Sequence, residues 1–236
     1  MRTSRAILDA QLSTAPPAAK RTRNARGQGG RLTEEIVTGA LGLIEREGTD
    51  EAVTLRAVAR EVGIAAPSIY PHFPDRAAIM LAVVARVFDE LTETISRAVA
   101  VAGDDPVEQL VAGCEAYVAF GLERPARYRV LFSEDRSSDS SWRDYCKPVA
   151  LAPGASPVLE FGAESFALLV DSLSKCVAAG RSSSTDAFSD STAIWVALHG
   201  TVSLNSATPG FPWPEPDGFV RRFVLLLGRI RPEQPA

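Results

Sequence analysis

Apolar side chains recur along this chain at the three- and four-residue spacing of amphipathic helices. Val37, Ala40, Leu41 and Ile44 form one such stripe, in a helix that opens near Thr33 and closes at Glu47 and Gly48. The Thr33 hydroxyl suits a cap, and Glu34 and Glu35 put negative charge where the helix dipole favours it. Leu55, Val58, Ala59 and Val62 repeat the pattern at i, i+3, i+4 and i+7, leaving Arg56, Arg60 and Glu61 off the stripe. Gly63 follows where a helix end needs left-handed backbone. Pro67, with φ preset and no donor to lose, suits the first turn of a following helix, and Ile69 and Phe73, four apart, belong with the core. Helix, glycine-centred turn, helix is the plan by which a second helix enters the major groove of DNA, although any helical hairpin in a core carries the same spacing.

The pattern continues to the C-terminus. Asp75 caps a helix to about Val101, with Met80, Val84, Val87, Phe88, Leu91 and Ile95 at helical spacing. Pro106 to Leu122 is an amphipathic helix with Leu110, Val111, Cys114, Tyr117, Val118 and Gly121 inward, and Pro125 to Phe132 is a short aromatic one. A polar loop from Ser133 to Pro157 carries Trp142 and Tyr145. Helices over Val158–Ala179, Ala187–Ala207 and Phe219–Ile230 complete an all-α chain, separated by GRSSST and by the proline-rich TPGFPWPEPDG. The last helix is apolar over more than one face, which a monomer does not need.

With 236 residues, 46% of them hydrophobic and 23% charged, the chain buries a full-sized core in one or two domains. No apolar run reaches the roughly 18 residues that a membrane span requires. Cys114, Cys146 and Cys176 are odd in number and lack metal-ligand spacing, as expected of a reduced cytoplasmic compartment, and His72 and His199 alone build no metal cluster. The net charge of −4 is unevenly placed. Residues 1 to 31 hold Arg2, Arg5, Lys20, Arg21, Arg23, Arg26 and Arg31 against Asp9, leaving 18 basic and 28 acidic residues, net −10, in the rest. That basic arm is too poor in large apolar residues to order itself by burial; it is either a phosphate-seeking arm or a solubilising tail. There is no GxSxG, no glycine-rich phosphate loop and no paired-carboxylate or metal spacing, so an enzyme is the weakest of three readings and no cofactor is called for.

GIAAPSIYPHFPDRAAIM resembles the tetracycline-repressor (TetR) family of bacterial regulators, closely from Leu32 to Asp89 and in outline beyond. IWVALHGTVSL is similar to the Trp-His-Gly type of C-terminal domain in that family, and its Gly200 would let a neighbouring helix come close. The resemblance implies a basic arm (1–31), a three-helix helix-turn-helix DNA-binding domain (32–76) and a helical ligand-binding and dimerisation domain (77–236). It further implies DNA contacts from Thr54, Arg56, Ala66, Pro67, Ser68, Tyr70, His72 and Arg76. Thr54 is explained equally by capping its own helix, and Arg56 by solvation. Tyr70 and His72 stand where the family donates to phosphate, while Ala66 and Ser68 are placed for base edges. Pro71 departs from the family pattern, which has a large polar or basic residue there, and so removes a base reader.

Phe88, Leu91, Tyr117, Phe120, Tyr128, Phe132, Phe166, Trp195 and His199 are candidates to line a pocket for a mostly apolar small-molecule effector, and ordinary core packing accounts for the same residues. The implied protein is a dimer through its last two helices, about 187–207 and 219–230, which releases a near-palindromic operator on double-stranded DNA when the effector binds. The alternative is a ligand-binding or interaction module without a defined operator.

Overall fold

The computed structural model describes residues 29–132 and 157–232. The basic residues up to Arg26 and the polar loop with Trp142 and Tyr145 lie outside the described residues. Eight α-helices make up the architecture: α1 (Gly29–Glu47), α2 (Leu55–Val62), α3 (Arg76–Val101), α4 (Pro106–Glu123), α5 (Pro125–Phe132), α6 (Pro157–Ala178), α7 (Ala187–Ala207) and α8 (Pro216–Leu227). No strand occurs among the described residues beyond a single bridge between Ser182 and Ile230.

The head is built from α1, α2 and the turn that follows. Ile36, Val37, Ala40, Leu41, Leu43 and Ile44 of α1 are buried against Val58 and Ala59 of α2, with Ile69 and Phe73 closing the core. Complete burial of Ile69 is worth about 1.5–3 kcal/mol relative to exposure. The two helices nearly touch at Gly39, where a methyl group would stand 2.7 Å from Val62 Cγ2. Arg46 and Glu61 clasp them at the rim, 3.0 and 3.2 Å apart, which holds the Glu61 carboxyl below its usual range. Gly63 ends α2 at φ 72° and ψ 36°, in the left-handed conformation expected of it.

Two expectations for the head change. The first helix opens at Gly29, so Thr33 lies inside it, and its hydroxyl meets His72 Nδ1 at 3.0 Å instead of capping. The second element of the pair is a 3-10 turn, Ala66–Ser68, followed by hydrogen-bonded turns to His72. Its bonds run from Ser68 N–H to Ala65 O, Ile69 N–H to Ala66 O and His72 N–H to Ile69 O, all i to i−3, with one i to i−4 bond, Phe73 N–H to Ile69 O at 2.9 Å, at its end. Pro71 has no N–H to return to Pro67 and disfavours helical backbone at Tyr70, so the α-ladder cannot propagate.

α3 begins at the Asp75 cap, whose carboxylate accepts the Ala78 N–H at 2.9 Å. It then runs 26 residues from the head into the body. Met80, Val84, Val87, Phe88, Leu91 and Ile95 are all buried. α4 is the centre of the body, packed against α3, α6, α7 and α8. It lies closest to α7 at Gly121, where a methyl group would be 2.5 Å from Val202 Cγ1. Gly200, expected to receive a neighbour, has nothing within 4 Å of where its Cβ would stand. α8 begins three residues earlier than its apolar pattern indicates and stops at Leu227. Arg229 turns to φ 51°, and Ile230 leaves the helix to pair with Ser182, whose hydroxyl donates to Gly228 O at 2.7 Å.

α5 joins the two halves. Tyr128, Val130 and Leu131 are buried in the body, whereas Arg127 reaches Glu45 of α1 and Glu90 of α3, and Arg129 donates to Gly48 O at 2.9 Å.

Candidate nucleic-acid interface and internal cavity

The start of α2 is an open helix N-terminus. The Thr54 hydroxyl accepts the Ala57 N–H at 3.1 Å, leaving the N–H groups of the first turn outward as an electropositive end. Arg56, in that same turn, is exposed and has no ion-pair partner among the described residues. In the following turn Pro67 occupies the first positions without a side-chain cap, Ala66 is half-buried, and Pro67 and Ser68 are exposed. Tyr70 is 58% exposed, high for a residue whose neighbours Ile69 and Phe73 are core. His72 is half-buried, with Thr33 fixing its Nδ1 side so that Nε2 is the nitrogen left for a contact.

Arg76 is placed differently. Its Nε donates to Val53 O at 2.9 Å and a terminal nitrogen to Asp50 O at 2.8 Å, with the Asp50 carboxylate 3.6 Å away. The guanidinium ties the start of α3 to the segment before α2. The sequence offered no signal for that, because both acceptors are backbone carbonyls more than twenty residues away.

A cavity of about 440 Å³ lies in the body between α3, α4, α5, α6 and α7. Of the nine pocket candidates, Phe88, Leu91, Tyr117, Phe132, Phe166 and Trp195 line it. Phe120, Tyr128 and His199 do not. Phe120 faces the other side of α4 beneath Arg124, whose guanidinium is 5.3 Å from the ring centre. Tyr128 and His199 form a layer behind the wall, stacked on one another with ring centres 5.8 Å apart. The periodic pattern assigned Ile95 and Leu110 to helix cores, and Val99, Leu169 and Ser172 carried no signal beyond their place on a helix; all five line the cavity.

The layer behind the wall is a continuous polar run. Tyr117, a lining residue, shares a hydrogen bond of 2.8 Å with Tyr128, and Tyr128 another of 2.8 Å with His199 Nδ1. His199 Nε2 is 3.3 Å from Ser203 at the surface of α7. Trp195 packs beside this run, its ring centre 6.3 Å from that of His199. With the histidine neutral and protonated on Nε2, each hydroxyl in the run donates once and the chain is satisfied. Burial enforces that state: it lowers the His199 pKa and pushes Tyr117 up to about 12. The cavity wall formed by the described residues is therefore uncharged at neutral pH.

The comparisons with known proteins agree with this architecture. Residues 36–83 match the bacterial regulatory proteins of the tetR family, and residues 110–227 match the tetracyclin repressor-like C-terminal domain. An uncharacterised HTH-type transcriptional regulator of Mycobacterium tuberculosis is 26% identical over 189 residues, 80% of this chain and 77% of its own length. A protein of unknown function from Rhodococcus sp. RHA1 is 25% identical and superposes with a TM-score of 0.68, covering 87% of this chain and 98% of that one. The fatty acid degradation regulator FadR from Bacillus halodurans shares the fold, with a TM-score of 0.63 over 89% of this chain and 100% of that one, at 15% identity. No helix among the described residues is long and apolar enough to cross a membrane. With both of its halves matched, one to the DNA-binding part and one to the C-terminal part of the same regulators, the chain belongs to the TetR family of bacterial transcriptional regulators.

Proposed function

We propose that this protein is a dimeric repressor that holds a near-palindromic operator and releases it when a small, mostly apolar molecule enters the cavity. The observation that carries the reading is the coexistence, in one chain, of outward-facing donors on the head and an apolar cavity in the body, joined by α3 and α5. On the head, the open N-terminus of α2 with Thr54 and Arg56 takes a DNA phosphate. Tyr70 and His72 Nε2 take further phosphates, and Ala66, Pro67 and Ser68 lie against base edges. Arg76 holds the head in shape through its bonds to Val53 O and Asp50 O.

Dimerisation follows from what α7 and α8 leave uncovered. Val196 and Leu204 of α7 are 61% and 53% exposed and flank Gly200, four residues from each; Leu226 of α8 is 75% exposed. An apolar strip with a glycine at its middle accepts a closely crossing helix, and a two-fold partner supplies one. The pair of heads then reads two half-sites, and an effector that favours a different head separation releases both by population shift. The protein works in the cytoplasm, on the nucleoid.

A module without operator specificity is the second reading. It is favoured by the uncapped Ala65–Ala66 start and by Pro71, which shorten the groove-facing element to a turn. Selection of bound sequences from random DNA, followed by fluorescence anisotropy at two salt concentrations, separates the two. One palindromic site that outcompetes bulk DNA supports the repressor. Uniform, steeply salt-dependent affinity for all sequences refutes it in favour of the module.

A further inference from the structure

The cavity specifies its ligand more narrowly than its apolar character alone. It is long: its lining on α6 runs from Gly162 to Ser172, ten residues or about 15 Å of helix rise. α3 lies alongside in the same sense, with Phe88 against Gly162 and Thr92 against Ser165, so that Val99 and Ser172 share the far end. Phe132, Phe166, Phe188 and Trp195 make the near end aromatic, and Val99, Leu110 and Leu169 make the far end aliphatic. At about 440 Å³ it is three times the volume of an engineered cavity that holds benzene, which corresponds to a ligand of roughly 15–20 non-hydrogen atoms.

Among the described residues that line it, no side chain is charged. The polar ones, moreover, are already committed. The Ser165 hydroxyl pairs with Thr92 at 2.5 Å, Thr192 donates to Phe188 O at 2.8 Å, and the Tyr117 hydroxyl is held by Tyr128 at 2.8 Å. Cys114 is fully buried with its thiol pKa raised, so it stays neutral. Ser172 is the exception. It is 8% exposed, lines the aliphatic end, and its hydroxyl has no hydrogen-bond partner among the described residues. A serine on a helix can return its proton to the carbonyl four residues back, as the exposed Ser174 does to Val170 O at 2.7 Å. Ser172 leaves both its donor and its acceptor capacity open to the cavity.

We infer that the cavity takes an uncharged, elongated, apolar molecule carrying one hydrogen-bonding group, a hydroxyl or carbonyl, at the end that meets Ser172, and that it rejects carboxylates and cations of the same length. A charged head would lose its water with no counter-charge in return, whereas a neutral one trades its water for the serine. The inference rests on the reading of this cavity as the effector site, and its test does not depend on DNA release.

The test titrates the full-length protein with dodecan-1-ol, dodecanoate and dodecyltrimethylammonium at pH 8. Tryptophan emission is followed, with Trp195→Phe as the control that removes the reporting ring from the wall. Dodecan-1-ol binds at least about a hundredfold more tightly than either ion, given the cost of stripping an unpaired charge of water. Ser172→Ala, which leaves the helix intact, weakens the alcohol about fivefold or more. Equal or tighter binding of either ion overturns the inference, as does failure of all three to bind; an unchanged alcohol affinity in Ser172→Ala overturns the serine anchor. Operator release is read separately by anisotropy, so an alcohol that binds without releasing DNA refutes the ligand-responsive repressor and leaves the neutral-ligand cavity standing.

Discussion

Gly121 is where the body of the protein has least room, and replacing it with alanine tests whether the packing of α4 on α7 is as tight as it looks. The added methyl would lie 2.5 Å from Val202 Cγ1, 2.8 Å from Val202 Cγ2 and 3.0 Å from Tyr128 Cδ2. Neither neighbour yields cheaply. Val202 is 1% exposed and β-branched, with one strongly preferred rotamer on a helix, and Tyr128 is 4% exposed and held at its hydroxyl from both sides. Overpacking of this kind costs about 1–3 kcal/mol, and contacts this short against stiff partners belong at the upper end. Alanine recovers about 1 kcal/mol as the better helix former. The net expectation for Gly121→Ala is a loss of about 2 kcal/mol, or about 4–8 °C in Tm for a chain of this size. Val202→Ala alone loses two buried methyls, also about 2 kcal/mol. In the double variant the smaller side chain makes room for the methyl, so the losses do not add and the coupling is about 2 kcal/mol in favour of the pair. Urea unfolding of the four proteins, followed by far-ultraviolet circular dichroism, measures the cycle. A Gly121→Ala protein as stable as its parent, or a cycle that adds without coupling, would falsify the packing argument.

Three further outcomes are expected. Val196→Glu puts a carboxylate in the uncovered strip of α7 and converts the dimer to monomer in light scattering; a retained dimer would place the interface elsewhere. Tyr70→Phe keeps the ring and loses the hydroxyl, lowering affinity for specific and random DNA by the same factor, about fivefold, in an anisotropy titration. A changed base preference would show instead that Tyr70 reads sequence. The third concerns His199, whose folded pKa burial holds below its ordinary value of about 6.5. Between the two values the unfolded chain takes up a proton that the folded chain refuses. The stability from this group is therefore complete above about pH 6.5 and is lost as pH falls through the folded pKa. His199→Gln makes the decline in stability below pH 6.5 shallower than in the parent, and superimposable slopes would sink the assignment.

Helical periodicity placed most elements: every residue of α3 and α4 that spacing put inward is buried, but so are Ala77, Ile79, Val83, Val107, Gly113 and Phe120, because these two helices are covered on more than one side. The failures occur where something outside the helix decides. The apolar pattern of α8 continues to Ile230, but the chain departs at Gly228 because Ser182, 46 residues away, captures its carbonyl. Thr33 has the chemistry of a cap and sits beside two glutamates, yet the helix runs four residues further back and its hydroxyl goes to His72. Pro71 was legible as a lost base reader, and its larger effect, the interruption of the groove-facing element, comes from the N–H it cannot return to Pro67 and from its bias against helical backbone at Tyr70. The cavity was half legible. Aromatic content pointed to the right region, but whether a ring lines the space or backs it depends on rotation about a helix axis. Tyr117 lines and Phe120 does not, although they are three residues apart on one helix.

α5 has one more implication, and it is kinematic. Phe132 at its C-terminus is part of the cavity wall, while Arg127, five residues or about 7.5 Å back along the axis, grips α1 and α3. A helix of this length turns as a stiff body. A tilt of about 10° that makes room behind Phe132 swings the Arg127 guanidinium by about 1 Å, which is wider than the whole range of good hydrogen-bond distances. Under the proposed ligand response, the contacts of Arg127 to Glu45 and Glu90 are thus where a change in the volume of the cavity would be felt at the head.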